Sequence, residues 1–372
     1  MSNQTEKLTS IKSAIENEGA SWQAGSSDIF ELSQEEQDLL LGYIPGDDEP
    51  SLEEKEEAAQ ANFQEYMVML ASNKAFSAPS SYDLRNVGGK NFITPVKNQR
   101  SCGSCVAFGT IATVEGTIRK MRNDANYAVD FSEAHLFYCH ARAEGRRCSG
   151  SKGGWWVPPA MTAFKSKGVT DEAHYPYTAS DQDCTGLKSG WQNSVKKISG
   201  FKKLTSISKM KDWLSTKGPL TACYTVYSDF YGYRSGVYRK TAGATQRGGH
   251  CVSIVGYSDS GRYWICKNSW GTGFGEQGFF KIGYGQCGID NEVWGVEGIV
   301  DSGTLTKKVT GLWANSSTRN AFVYLSGEGW KRISNKNDTN FYIMLTYLAT
   351  AKGMNGNATV KISNGEIIEV YA

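Results

Sequence analysis

The thirteen residues from Lys97 to Gly109, KNQRSCGSCVAFG, restrict this chain more than any other stretch. Gln99, Ser101, Gly103 and Ser104 form a polar, flexible approach that reads as loop. From Cys105 onward, VAFGTIATVEGTIRKM has the pattern of a helix, with Lys120 and Arg122 complementing its C-terminus. Cys105 therefore falls at or beside a helix N-terminus, where partial positive charge favours an anion. That matters because cysteine is a nucleophile only as its thiolate. CGSC also reads as a thioredoxin-type redox pair or half of a zinc site. Redox chemistry calls for a βαβ pattern and zinc for a second CxxC or paired histidines downstream, and the sequence offers neither.

The partners of a catalytic thiol must come from elsewhere, and the chain has four histidines. His135 and His140 fall in SEAHLFYCH, a helix-like stretch that leaves a minor zinc reading open for His135, Cys139, His140 and Cys148. His174 lies in DEAHYPY, a turn with packed rings. His250 differs, because RGGHCVSIVGY runs from glycines into an apolar strand. It follows Cys105 by 145 residues, and 18 residues later comes Asn268 in YWICKNSWGTGFGE.

Together these segments resemble the papain-like cysteine peptidases of the cathepsin group, whose fingerprint is C-G-[SA]-C-[WY] with a distant His and Asn. Two positions depart from the pattern: Val106 replaces an aromatic residue and Arg100 replaces a common glycine. The resemblance implies an α+β, papain-like two-lobed fold, with a helical lobe carrying Cys105 and a β-barrel-like lobe carrying His250 and Asn268. It implies catalysis by Cys105 and His250, orientation of the ring by Asn268 under Trp270, and an oxyanion donor in Gln99. Substrate would lie along Gly103, Gly153, Gly154 and Trp155, with Glu292 at the floor of a specificity pocket walled by Cys223 and Cys251. It further implies disulfides Cys102–Cys148 and Cys139–Cys184, an unpaired Cys287, and no cofactor or metal. From Gly154 to Tyr175 there are too few residues for the loop that makes one cathepsin branch an exopeptidase, so an endopeptidase is expected.

Composition divides the chain. Residues 1–80 hold 16 acidic and 4 basic residues, whereas the remainder holds 22 acidic and 36 basic ones. Such asymmetry suggests that one part rests on another. SIKSAIENEG reads as a helix stopped by Gly19, and capping boxes at Ser33–Glu36 and Ser51–Glu54 open two more. Trp22 and Phe30 are expected to pack between these helices. We read 1–80 as a helical, acidic pro-region lying in the cleft, cut between Leu70 and Ser81, and 81–300 as the peptidase domain. Residues 301–372 read as a β-rich accessory domain, a β-sandwich-like appendage with strands in FVYLSGEGWKRI, TNFYIMLTYLATA and ATVKISNGEIIEVYA and a hairpin across Asn364-Gly365. Its candidate partner is a glycan or cell-wall ligand, and the alternative function is a binding module on a peptidase scaffold. Scattered Lys and Arg argue against nucleic acid. No apolar run follows Met1, so no signal peptide or membrane anchor is expected, although two disulfides suit an extracytoplasmic compartment.

Overall fold

A computed structural model describes residues 2–72, 77–300, 303–315, 319–363 and 365–371. Within the expected cut segment and hairpin, residues 73–76 and Asn364 lie outside the described residues.

The acidic N-terminal part is helical: α1 (Ser2–Asn17), α2 (Asp28–Glu31), α3 (Gln34–Asp38) and α4 (Leu52–Ala71), with a short strand β1 (Gln23–Ala24) after α1. Both expected capping boxes form, as Ser33 and Ser51 accept from the N–H groups of Glu36 and Glu54 and receive those carboxylates on their own N–H groups. Gly19 follows α1 with φ 61, the left-handed turn that only glycine takes cheaply. Trp22 and Phe30 share one buried cluster with Ile11, Ile15 and Ile29 of these helices, and Trp22 also reaches Tyr233 and Tyr238 of the following part. The helices are too short and too acidic to make a core alone, so their apolar faces are buried against the larger body.

That body begins with β2 (Ser81–Asp83) and α5 (Cys105–Arg122), then α6 (Val157–Ser166), β3 (Lys197–Leu204) and α7 (Ile207–Thr216). It continues through β4 (Leu220–Tyr227), β5 (Tyr233–Ser235), β6 (Val237–Tyr238), β7 (Gln246–Ser258), β8 (Tyr263–Lys267), β9 (Phe279–Gly283) and β10 (Glu292–Val300). Eight strands form one sheet in the order β3-β10-β4-β7-β8-β9-β6, with β2 on β7. β1 pairs with β5, which ties the N-terminal part to this body. α5 is the axis of the helical lobe and is buried on several faces, through Val106, Ile111, Val114 and Ile118. The disulfides Cys102–Cys148 and Cys139–Cys184 both form, and Cys287 is among the free cysteines.

The remaining elements are β11 (Gly303–Ala314), β12 (Ala321–Leu325), β13 (Gly329–Ile333), α8 (Asp338–Gly353), β14 (Asn357–Ser363) and β15 (Glu366–Tyr371). They make a closed barrel, β11-β12-β13-β15-β14, and not a sandwich. TNFYIMLTYLATA, expected as a strand, is the helix α8. Asn337 caps it by accepting from the Asn340 N–H, and Phe341, Met344 and Leu348 recur at helical spacing to plug the barrel. β14 and β15 form the expected hairpin.

Candidate active site

Cys105 is the first residue of α5, and His250 lies in β7, opposite Tyr224 of β4. Asn268 and Trp270 follow β8 in the irregular turn that leads to β9. Gln99 sits in the loop before α5, its N–H bonded to the Ser269 carbonyl at 2.8 Å. The fold thus brings Cys105, His250, Asn268, Gln99 and Trp270 into one buried region between helix and sheet.

His250 Nε2 lies 2.8 Å from Asn268 Oδ1. The Ser269 N–H donates to the same Asn268 atom at 2.8 Å, so that atom is the amide oxygen. Nε2 therefore carries the proton of the neutral ring, and Nδ1 is left as its base. Trp270 covers the imidazole at 4.7 Å between ring centres, and Tyr224 closes it from another side at 5.9 Å. Burial lowers the His250 pKa to about 4 despite the Asn268 hydrogen bond and the nearby Leu40 carbonyl. Burial likewise pushes the Cys105 thiol well above its ordinary value, with Cys251 adding to the shift. The N–H groups of Cys251, Gly42 and Val106 do not offset this. In this covered state thiol and imidazole are both neutral near pH 7.

The cover is the segment after α3. The Leu40 carbonyl accepts from Gln99 Nε2 at 3.0 Å. Gly42 and Tyr43 donate to the Gly249 carbonyl at 3.1 and 3.0 Å. Trp155 donates to the Gly42 carbonyl at 2.8 Å, and Ile44 donates to the Trp155 carbonyl at 3.0 Å. Tyr43 therefore pairs with Trp155 in parallel and with Gly249 in antiparallel fashion. Gly154, at φ 82, must be glycine on two counts, since a Cβ there would also meet the Gly42 carbonyl oxygen at 2.5 Å. Gly42 presses equally close to Gly103, whose carbonyl oxygen would lie 2.0 Å from an added Cβ. Gly153 only leads into this strip, by the turn bond from its N–H to the Gly150 carbonyl at 2.9 Å.

Glu292 is fully buried at the start of β10, paired across the strands with Cys223, which itself pairs with Cys251. Its carboxylate meets Lys55 of α4 at 3.0 Å, Lys203 of β3 at 2.8 Å and the Trp294 indole N–H at 2.6 Å. Burial works against its charge, but Lys55, Lys203 and Trp294 outweigh it and hold the carboxyl below its usual range. Lys55 also bonds Glu49 at 2.7 Å and the Tyr43 hydroxyl. Because Lys55 bonds both the Tyr43 hydroxyl and Glu292, the Tyr43 ring lies beside the expected pocket residues. Tyr43 and Lys55 of the N-terminal part thus occupy the space beside Glu292.

Sequence reasoning missed Leu40, Gly42, Tyr43 and Lys55 as contacts. One signal was present: Lys55 is the lone cation in LEEKEEAAQ. Ser269 was also missed, although its hydroxyl donates to Gln99 Oε1 at 2.7 Å and aims the Gln99 amide. Cys139 and Cys148 are used in disulfides, while His135 and His140 are buried core rings 4.8 Å apart. Arg100 has φ 50, which explains why a glycine is common there.

Residues 78–296 match the papain family cysteine proteases. A cathepsin L-like proteinase of Fasciola hepatica is 36% identical over 59% of this chain, and the chain covers 65% of that protein, just under two thirds of its length. A cathepsin B-like protein, CP3, of Giardia intestinalis is 35% identical over 59% of this chain and 75% of its own. Among solved structures, a digestive procathepsin L2 proteinase from Tenebrio molitor larval midgut superposes with a TM-score of 0.60 at 27% identity. It spans 79% of this chain and 90% of its own. A procathepsin B from Trypanosoma congolense gives 0.61 at 20% identity, over 77% and 97%, a likeness of fold. With the helical N-terminal part seated over a Cys–His–Asn constellation, and a family match over more than half its length, the chain belongs to the papain family of cysteine proteases as a procathepsin-like precursor.

Proposed function

We propose that this chain is the self-inhibited precursor of a cysteine endopeptidase, divided into a pro-region (1–80), a peptidase domain (81–300) and an accessory domain (301–372). One observation carries the reading: the backbone from Leu40 to Ile44 is hydrogen-bonded along both walls of the cleft, over Cys105 and on the Gln99 amide. The backbone contacts that hold it are those an extended peptide would use.

Once the cover leaves, water returns to the site and the charged pair becomes accessible. The Cys105 proton passes to His250 Nδ1, and the thiolate attacks the scissile carbonyl carbon. The Gln99 amide and the Cys105 N–H receive the oxyanion, a contribution whose loss typically costs about 100- to 1000-fold in rate. The imidazolium returns the proton to the leaving amine, and a water deprotonated by His250 then cleaves the thioester. Asn268 fixes the ring's tautomer throughout, and Trp270 keeps water from that bond. Protein or peptide substrates are the partners, and the two disulfides suit an oxidising, extracytoplasmic compartment. Among the described residues no helix is long and apolar enough to cross a membrane.

In the specificity pocket, Glu292 would bind an arginine two residues before the cut by a charge-assisted pair in the space that Lys55 leaves. On dipeptide reporters, Glu292→Ala should lower turnover of Arg-Arg by about tenfold, the equivalent of about 1.4 kcal/mol, while sparing Phe-Arg. Equal losses would make Glu292 structural. The peptidase reading itself is tested with an epoxide inhibitor of cysteine peptidases. We expect a Cys105 adduct after removal of residues 1–80 and almost none before it. A processed protein that stays unlabelled would favour the alternative, a binding module on a peptidase scaffold.

A further inference from the structure

The C-terminal barrel plays no part in that chemistry, yet it has a surface of its own. Its strand order, with α8 between the third and fourth strands and a parallel seam between β13 and β15, is that of the OB-fold. Barrels of that kind bind ligands across their second and third strands. Here the register sets two rows on the outside of β11, β12 and β13: Trp313, Phe322 and Arg332 in one, and Gly311, Tyr324 and Trp330 in the next. The alternate residues Ala321, Val323 and Leu325 are buried inside. Trp313 and Trp330 remain 48% and 51% exposed, unusual for indoles with a core available to them. Phe322 and Tyr324 lean on them at 5.6 and 5.4 Å, and Gly311 leaves room for the Trp330 ring.

A second observation points the same way. A cavity of about 460 Å³ adjoins Tyr324 and Trp330, between the barrel and the C-terminal end of α5. Four cations line it (Lys120, Arg122, Lys217 and Lys331) against one carboxylate, Glu328. Arg122 is held by Glu328, and Lys120 donates to the Tyr82 hydroxyl at 2.7 Å. Lys217 has no acidic partner among the described residues and is exposed. The surface is thus a ring platform with positive charge gathered at one end.

We propose that the β11–β12–β13 face and this cavity bind an acidic polysaccharide. Sugar rings lie on Trp313, Phe322 and Trp330, and carboxylates reach Lys217. Charge placement favours sugar over single-stranded nucleic acid. The rows carry one cation, Arg332, already 3.6 Å from Glu366, whereas a nucleic acid strand needs a basic groove along its whole length. α5 separates this surface from Cys105 by its 18 residues, about 27 Å, so a bound polymer leaves the cleft open.

The test uses the full chain carrying Cys105→Ala, run in native gels containing polygalacturonate, a neutral β-glucan or neither, with a labelled dT20 oligonucleotide assayed in parallel. We expect retardation by polygalacturonate alone. Trp313→Ala with Trp330→Ala should weaken it at least tenfold, and Lys217→Glu at least threefold, with a shallower salt dependence. Processed enzyme bearing Trp330→Ala should hydrolyse peptide reporters as the wild type does. If melting shows the double variant unfolded, Lys217→Glu and Trp313→Phe decide the matter. Absence of retardation, retention unaffected by these substitutions, equal retention on neutral glucan, or tighter binding of dT20 would each overturn the proposal. All are read apart from peptidase activity.

Discussion

His250 shows how covering a site changes its chemistry. Under the Leu40–Ile44 segment its pKa falls to about 4, so the precursor holds a neutral ring beside a neutral thiol. The ordinary value is about 6.5, so protons bind more tightly to the uncovered state. The covered state is thus unpenalised above pH 6.5 and loses about 1.4 kcal/mol for each unit down to 4, roughly 3 to 4 kcal/mol in all. NMR of the imidazole in the intact precursor should give a midpoint near pH 4, and a midpoint above 6 would refute the account. Ser269 makes a second expectation at this scale. Because its hydroxyl fixes Gln99 Oε1, Ser269→Ala should reduce kcat about tenfold with little change in KM. A rise in KM alone would show that the bond serves binding. Cys105, His250, Asn268 and Gln99 were readable because each sits in a short local pattern at a fixed separation. Ser269 has no such signature, as its role depends on a contact 170 residues away in the chain.

At the scale of elements, α4 is the lever that places Lys55 on Glu292. Lys55 and Glu292 are both almost wholly buried, and opening such a contact strands charge away from water. Since Lys203 stays on Glu292, Lys55→Met should not undo the fold, but should speed conversion of the precursor at pH 5 at least tenfold. A rate equal to wild type would show that α4 is held by its other contacts, such as Gln60 on the Gly285 carbonyl at 2.6 Å. The pH sense here is the same as that of His250, since both weaken the closed state as pH falls. Glu292 is held below its usual range, so the contact persists above that lowered value and yields only as pH falls through it. Two helix starts, at Ser33 and Ser51, were plain from local capping chemistry, as was β7 from the apolar, β-branched run around His250. α8 was hidden because Phe341, Tyr342, Ile343 and Thr346 favour strands in isolation. Helical spacing of the buried Phe341, Met344 and Leu348 decided the matter once the barrel offered them a site. Lys55 was hidden for a different reason, as 237 residues separate it from Glu292.

Across the whole molecule, the acidic N-terminal part meets a basic body through exposed ion pairs, Asp38–Arg247 at 2.6 Å and Glu56–Lys240 at 3.1 Å. Carboxylates take up protons around pH 4, so acid and salt should both loosen this contact. Conversion, followed by the loss of residues 1–80 on a gel, should run faster at pH 4 than at pH 8. At pH 6 it should quicken with 0.5 M salt, and faster conversion at pH 8 would refute the charge account. In the maturation proposed above, only the N-terminal part is removed. The barrel enters from the other end, after β10, and is pinned by Glu328 to Arg122 of α5 and to its own Lys307 at 3.2 Å. A cut near residue 80 therefore leaves it attached. If the barrel face holds a polymer as proposed, such an enzyme would work on a leash, its rate on a solid following how much surface lies within reach of each anchorage. Bulk enzyme concentration would matter less, and dilution would slow it on free peptides well before it slowed it on the matrix it holds.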